Sequence, residues 1–186
     1  MGRVSQAQAQ ENRRRVVENA SRLFREQGTH VSVAELMKAS GLTHGGFYKQ
    51  FASKEALVDE ATVHAFDELT RSRAAGLEQS DGQRDAAQQA LIDVYLSVAH
   101  RDNSADGCPA AALASDMARG SGDREVRRVY SEGVGDFADW LATDDQDGMA
   151  RLCTMVGALV LARATREFPL SEEILTAARE ALMSTD

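Results

Sequence analysis

The chain has little of what would break a helical fold or equip it for covalent chemistry. Only two prolines, Pro109 and Pro169, interrupt its 186 residues, and aromatic residues make up 5%. With Ala and Leu plentiful, both shortages favour helices over sheets, because strands draw on β-branched and aromatic side chains and proline breaks helix interiors. No apolar run approaches the roughly 18 residues that a membrane span needs. The opening stretch MGRVSQAQAQENRRR has no hydrophobic signal core, so no membrane partner and a cytoplasmic location are expected. Cys108 and Cys153 share no CxxC or Cys/His spacing, which argues against a zinc site and a redox dithiol, and a cytosolic chain keeps such thiols reduced. The four histidines, His30, His44, His64 and His100, are scattered, and no acid pair or Ser/His/Asp set stands at a catalytic spacing. No enzyme, metal or cofactor is therefore expected.

What is present is an all-α pattern with an uneven charge. The formal net charge is −8, yet the residues up to Lys54 are net positive and the remainder is strongly negative. A basic head on an acidic body confines any electrostatic footprint for nucleic acid to one end.

Within that basic end, Val31 to Leu57 reads VSVAELMKASGLTHGGFYKQFASKEAL. Ser32 can cap a helix carrying Val33, Leu36 and Met37 on one face, and Gly41 stands where that helix must stop. Thr43 can cap a second helix, His44 to Gln50, whose Phe47 and the following Phe51 share a face. Two short helices around a glycine turn make a helix-turn-helix, in which the second helix enters the major groove. Two local rules fail here. Gly45 and Gly46 sit inside the second helix, at about 1 kcal/mol each relative to Ala, which suits a backbone that must approach its target closely. Lys54 occupies the first turn after the cap Ser53, where the macrodipole favours an anion. A DNA phosphate docked there would explain it; so would an exposed lysine offset by Glu55.

The run AELMKASGLTHGGFYKQFASKEAL closely resembles the DNA-binding domain of TetR-family transcriptional regulators. The resemblance rests on the A-G-[VL]-[ST] turn, the [LF]-Y pair, the H-F position and K-E-x-L, and it covers about the first third of the chain. Ser40 and Gln50 depart from the usual Ala and His, and Gln keeps an N–H donor of similar reach. The resemblance implies DNA contacts at Ser32, Thr43, His44, Gly45, Gly46, Tyr48, Lys49 and Lys54. It also implies a DNA-binding domain over 1–52, a ligand-binding and dimerisation domain over 53–186, and about nine helices in all.

Periodicity supplies the rest of the architecture. A polar N-terminus bearing Arg3, a candidate minor-groove arm, precedes a helix from Glu11 to Gln27 with Val16, Ala20, Leu23 and Phe24 inward and Arg13, Arg14 and Arg15 crowding its first turns. A long helix after Ser53, running to about Gln79, turns Leu57, Ala61, His64 or Ala65, and Leu69 inward and joins head to body. A helix over 85–101 buries Ala87, Leu91, Val94, Tyr95 and Val98. Pro109 opens another at its first position, and one from Arg124 to Ala142 contains Gly133 and Gly135, which implies close packing or a bend beside a cavity. Asp144–Gly148 reads DDQDG, but the ligands of a calcium loop fail at both ends, leaving a turn. The helix Met149–Arg166 is apolar on two faces, with Cys153 on a core face, and Ser171 is the expected cap of the last helix. The resemblance implies that these last two helices pair across a two-fold axis.

For the body the resemblance implies a small apolar or aromatic effector that releases DNA. Phe66, Tyr95, Met117, Val134, Phe137, Trp140 and Met155 are candidates to line its pocket, although side chains of these types more often simply fill a core. The reading is a homodimeric, ligand-responsive repressor of a palindromic operator. Two alternatives stay open. Cys108, at a helix N-terminus where the dipole lowers a thiol's pKa, could make this an electrophile- or oxidant-sensing regulator. The head could also be mere packing in a helical enzyme or ligand carrier that does not bind DNA.

Overall fold

The computed structural model describes residues 6–120 and 124–183, which form nine α-helices, one 3-10 helix and no strand. In order these are α1 (Gln6–Gln27), α2 (Val33–Ala39), the 3-10 helix (His44–Lys49), α3 (Lys54–Gln79), α4 (Arg84–Tyr95), α5 (Val98–Asp102), α6 (Pro109–Ala118), α7 (Arg124–Leu141), α8 (Gly148–Ala164) and α9 (Leu170–Met183). Arg3 lies outside the described residues. The fold is the all-helical one that the composition implies.

Four local expectations change. α1 begins at Gln6 because the segment QAQAQEN is made largely of good helix formers. Arg13, Arg14 and Arg15 consequently sit well inside the helix, and Arg13 and Arg14 meet acids: Arg13 pairs with Glu60, and Arg14 with Glu11 and Glu18. The cation-at-N-terminus anomaly disappears for these three. Residues 84–102 form two helices, broken where Leu96 ends α4 and Ser97 caps α5 by accepting from the His100 amide. The break turns Val94 and Val98 out to solvent. Ser171 does not cap α9: it is buried, its hydroxyl donating to the Ala162 carbonyl at 2.7 Å and accepting from Arg101 at 2.8 Å. Cys153 is exposed, on the face of α8 away from the core. The DDQDG segment is a turn, and its Asp147 caps α8 through the amides of Met149 and Ala150.

Two apolar cores organise the packing. One gathers Val16, Ala20 and Phe24 of α1, Leu36 and Met37 of α2, Phe47 and Phe51, and Leu57, Val58 and Ala61 of α3. The same core takes in Leu113 and Met117 from α6 and Val126 from α7. The second is built from Phe66 of α3, Ile92 and Tyr95 of α4, Cys108, Ala110 and Ala111, and the inward faces of α7, α8 and α9. Thus α3 and α6 each contribute to both cores, α6 within ten residues. α7 meets α3 and α8 at glycines: Phe66 packs on Gly133, and Gly148 packs on the backbone at the end of α7. The outer faces of α8 and α9 and their connection leave Met149, Val160, Leu161, Phe168, Leu170 and Met183 exposed. Among the described residues no helix is long and apolar enough to cross a membrane, and no cluster of three or more His, Cys, Asp or Glu could hold a metal.

Candidate nucleic-acid interface and ligand cavity

The head presents a narrow outward face built on a buried one. Ser32 caps α2 in a full capping box: its hydroxyl accepts from the Glu35 amide, and its own amide donates to the Glu35 carboxylate at 2.9 Å. The Ser-x-x-Glu spacing that signals this motif is in the sequence, yet Glu35 was not among the expected site residues. The Leu42 amide closes the end of α2 by donating to the Met37 carbonyl at 2.9 Å, and Gly41 between them has φ +69°, where a side chain is strained. The chain then enters the 3-10 helix, tighter than the α-helix that the spacing suggests.

Beneath this helix, Phe47 is fully buried and stacks on Phe51 at 5.4 Å. On top, Thr43, His44, Gly45, Tyr48 and Lys49 all face solvent, and Tyr48 is 69% exposed. Thr43 precedes the helix without making a side-chain cap hydrogen bond, which leaves its hydroxyl for other partners. The two glycines differ. A Cβ on Gly45 would meet nothing within 4 Å, whereas one on Gly46 would lie 3.5 Å from Met37 Cε. Gly45 therefore faces open space, and Gly46 lies against α2.

Lys54 opens α3 directly after Ser53, whose hydroxyl accepts from the Ala56 amide at 3.1 Å. Two acids share its surroundings. Hydrogen bonds from the Ser32 hydroxyl and amide, aided by the charges of His30 and Lys54, hold the Glu35 carboxyl below its usual range. Backbone and Ser53 hydrogen bonds, with Lys54, do the same for Glu55. Ser32 and Lys54 thus flank one end of the outward face.

A cavity of about 480 Å³ opens between α1, α3, α4, the loop before α6 and Trp140 of α7. Of the seven candidate lining residues, Tyr95 and Trp140 face it. Phe66, Phe137 and Met155 are at most 8% exposed inside the body core, Val134 packs against that core, and Met117 belongs to the head core. The polar groups that line it were not anticipated, among them Arg25, Glu68, Arg73, Asp106 and His100. Arg25, reaching from the head helix α1, pairs with Glu68 at 2.8 Å and donates to the Gly107 carbonyl at 3.2 Å. His100 Nδ1 lies 2.7 Å from the Tyr95 carbonyl, while its Nε2 accepts from the Cys108 amide at 3.2 Å, which fixes a neutral ring protonated on Nδ1. Burial is the main reason its pKa is lowered.

Cys108 lines the same cavity and precedes Pro109 as expected, but its thiol is pushed up, not down. Burial outweighs the lowering effects of the Tyr95 hydroxyl and the Ala111 and Ala110 amides at the helix N-terminus. The resulting group is a protonated thiol only 4% exposed, the opposite of a reactive thiolate.

Comparison with known proteins matches this geometry. Residues 16–61 match the family model described as bacterial regulatory proteins, tetR family. Over 61 residues the chain is 39% identical to the HTH-type transcriptional regulator AcrR of Shigella flexneri, a match spanning 32% of this chain and 28% of that regulator. The fold resembles that of reduced NemR of E. coli, with a TM-score of 0.77 at 17% identity over 93% of this chain and 95% of that one. It also resembles AibR, solved in complex with isovaleryl coenzyme A and operator DNA, with a TM-score of 0.62 at 16% identity over 91% of this chain and 97% of that one.

Proposed function

We propose that this chain, a TetR-family transcriptional regulator by its head and its fold, is a homodimeric repressor that leaves its operator when a small apolar or aromatic effector fills the body cavity. One observation carries the reading: helices that build the head also wall the cavity. Arg25 of α1 and Ala65, Leu69 and Arg73 of α3 line it, so an occupant presses on elements whose other ends set the head's position. AibR, with ligand and operator bound together, supports the view that this fold serves both partners.

In this reading residues 1–52 are the DNA-binding unit and 53–186 the effector and dimerisation unit, working in the cytoplasm. Thr43, His44 and Gly45 meet base edges, with Gly46 setting the helix close to α2; Ser32, Tyr48, Lys49 and Lys54 hold phosphates. The exposed apolar faces of α8 and α9 pair with a second copy, and the two heads read half-sites of a palindrome about 34 Å apart. The burial and raised pKa of Cys108 favour effector binding over thiol chemistry as the trigger.

The test is fluorescence anisotropy on DNA from upstream of the chain's own gene, repeated across salt concentrations. Each lost phosphate contact flattens the log–log slope by about 0.9. Lys49→Ala and Lys54→Ala should each flatten it by that amount per protomer. Slopes unchanged in both variants, or no retention of this DNA by the wild type, would sink the reading.

A further inference from the structure

Arg73 stands out among the groups around the cavity because it is a buried cation with no carboxylate in contact, the Asp136 carboxylate acting on it only from a distance. Its residue is 6% exposed, it lies on the cavity wall, and no carboxylate stands within 4 Å of it among the described residues. Two of its five N–H bonds find acceptors, the Asp136 carbonyl at 3.1 Å and the Thr70 hydroxyl at 3.0 Å; Nε has none. Its guanidinium carbon lies 5.1 Å from the ring centre of Phe137 and 5.8 Å from that of Trp140. Burial depresses its pKa. A buried charge is normally paired, and an apolar side chain of equal length would hold α3 against α7 at lower cost. By contrast Arg25, on the same wall, pairs with Glu68 and donates to the Ser21 and Gly107 carbonyls.

A second weakly matched donor lines the same cavity. The Tyr95 hydroxyl is buried with the Cys108 thiol, a poor acceptor, as its neighbour. Ala65, Leu69, Ala87 and Leu91 give the wall an aliphatic stretch, and Ser72, Gln79 and Asp106 also lie on it.

Resting on the effector reading above, we infer that the effector is a small monoanionic carboxylic acid whose carboxylate pairs with Arg73 while its aliphatic or aromatic body lies along α3 and α4. A guanidinium presents its N–H bonds in one plane, which matches a carboxylate better than any neutral group. Arg25 is paired with Glu68, which leaves Arg73 the one cation on the wall without a contact carboxylate among the described residues, so phosphate esters and polyanions find too little positive charge. The cavity volume suits a drug-sized molecule.

The test uses phenylacetate, naphthoate and decanoate, each beside its primary amide, titrated calorimetrically into wild type and Arg73→Met. At least one acid should bind, its amide should bind about tenfold or more weakly, and Arg73→Met should lose a similar factor for the acid, as expected for a charged hydrogen-bonded pair. Equal affinity for acid and amide in the wild type, undiminished acid binding in Arg73→Met, or no acid binding at all overturns the assignment. The acid-against-amide comparison needs only the wild type and so survives a misfolded variant. Operator release, read in parallel by anisotropy, separates the two ideas. An amide that binds as well as its acid and releases DNA overturns the carboxylate but spares the effector reading; an acid that binds as expected yet never releases DNA does the reverse.

Discussion

Gly133 and Gly135, two residues apart on α7, allow the packing of the body to be tested by adding one methyl group at a time. At Gly135 a Cβ would meet no heavy atom within 4 Å. Gly135→Ala therefore keeps only the helix-propensity gain and should stabilise by about 1 kcal/mol. At Gly133 the same atom would lie 2.3 Å from Phe66 Cδ1 and 2.5 Å from Cγ. The ring has little room to yield, being 8% exposed and edge-on to Tyr130 with centroids 5.9 Å apart. Overpacking costs about 1–3 kcal/mol, against about 1 kcal/mol recovered from propensity, so Gly133→Ala should lose about 1 kcal/mol net. Gly148→Ala is the extreme case, since its Cβ would fall 2.0 Å from the Ala138 carbonyl oxygen and 2.6 Å from the Ala142 nitrogen. Those are backbone atoms with no rotamer to relieve them, and the loss should reach or pass the upper end of about 1–3 kcal/mol. Urea unfolding followed by far-UV circular dichroism, at one protein concentration because any self-association shifts the midpoint, reads the order directly. Stability should fall from Gly135→Ala through wild type and Gly133→Ala to Gly148→Ala. If Gly133→Ala matches Gly135→Ala, the contact between α3 and α7 is not the one described.

Two further outcomes follow from the head and the cavity. Gly45→Leu should leave the melting temperature unchanged or raised, since its side chain enters open space, yet weaken operator binding about tenfold or more by standing the backbone off the groove; full affinity with full stability would show that this face does not meet DNA. His100 is held neutral, with its folded pKa below the ordinary value of 6.5. The unfolded chain therefore takes up the proton first, so the stabilisation is complete above that value and declines as pH falls toward the folded pKa. Melting temperature should drop on acidification through that window, and His100→Gln, which can still donate and accept, should remove this part of the slope; an unchanged slope in the variant refutes the assignment.

Much of the fold was legible because its signals are local. Val16, Ala20 and Phe24 repeat at four residues and are buried, and Gly41 ends α2 where the spacing places it. The break at Leu96 was not legible: neither Gly nor Pro marks it, and only the side chain of Ser97 at the next cap betrays it. The cavity was misjudged for a different reason. The candidates were large apolar side chains, aromatic and aliphatic, and Phe66, Phe137 and Met155 among them fill a core. The polar wall carries a sequence signal of its own. The inward stripe Leu57, Ala61, Ala65, Leu69 recurs every fourth residue, and the next member is Arg73. A cation continuing a mostly buried stripe is the sequence feature that places this group on the cavity wall. Cys108 shows the limit of reasoning from helix dipoles, because depth of burial depends on tertiary packing that one helix cannot reveal.

The short helix α6 has a further consequence for how such a protein can change. Its first residues, Ala110 and Ala111, belong to the body core, while Leu113 and Met117, one and two turns later, complete the head core, and its Asp116 accepts a hydrogen bond from the Thr29 amide at 2.6 Å. The head is thus not a detachable cassette. Grafting the first 52 residues of a relative onto this body would leave Leu113, Met117 and Val126 facing a surface they were not shaped for. A chimera with a new head would have to carry those three side chains with it, so the head and the body that packs on it are inherited together.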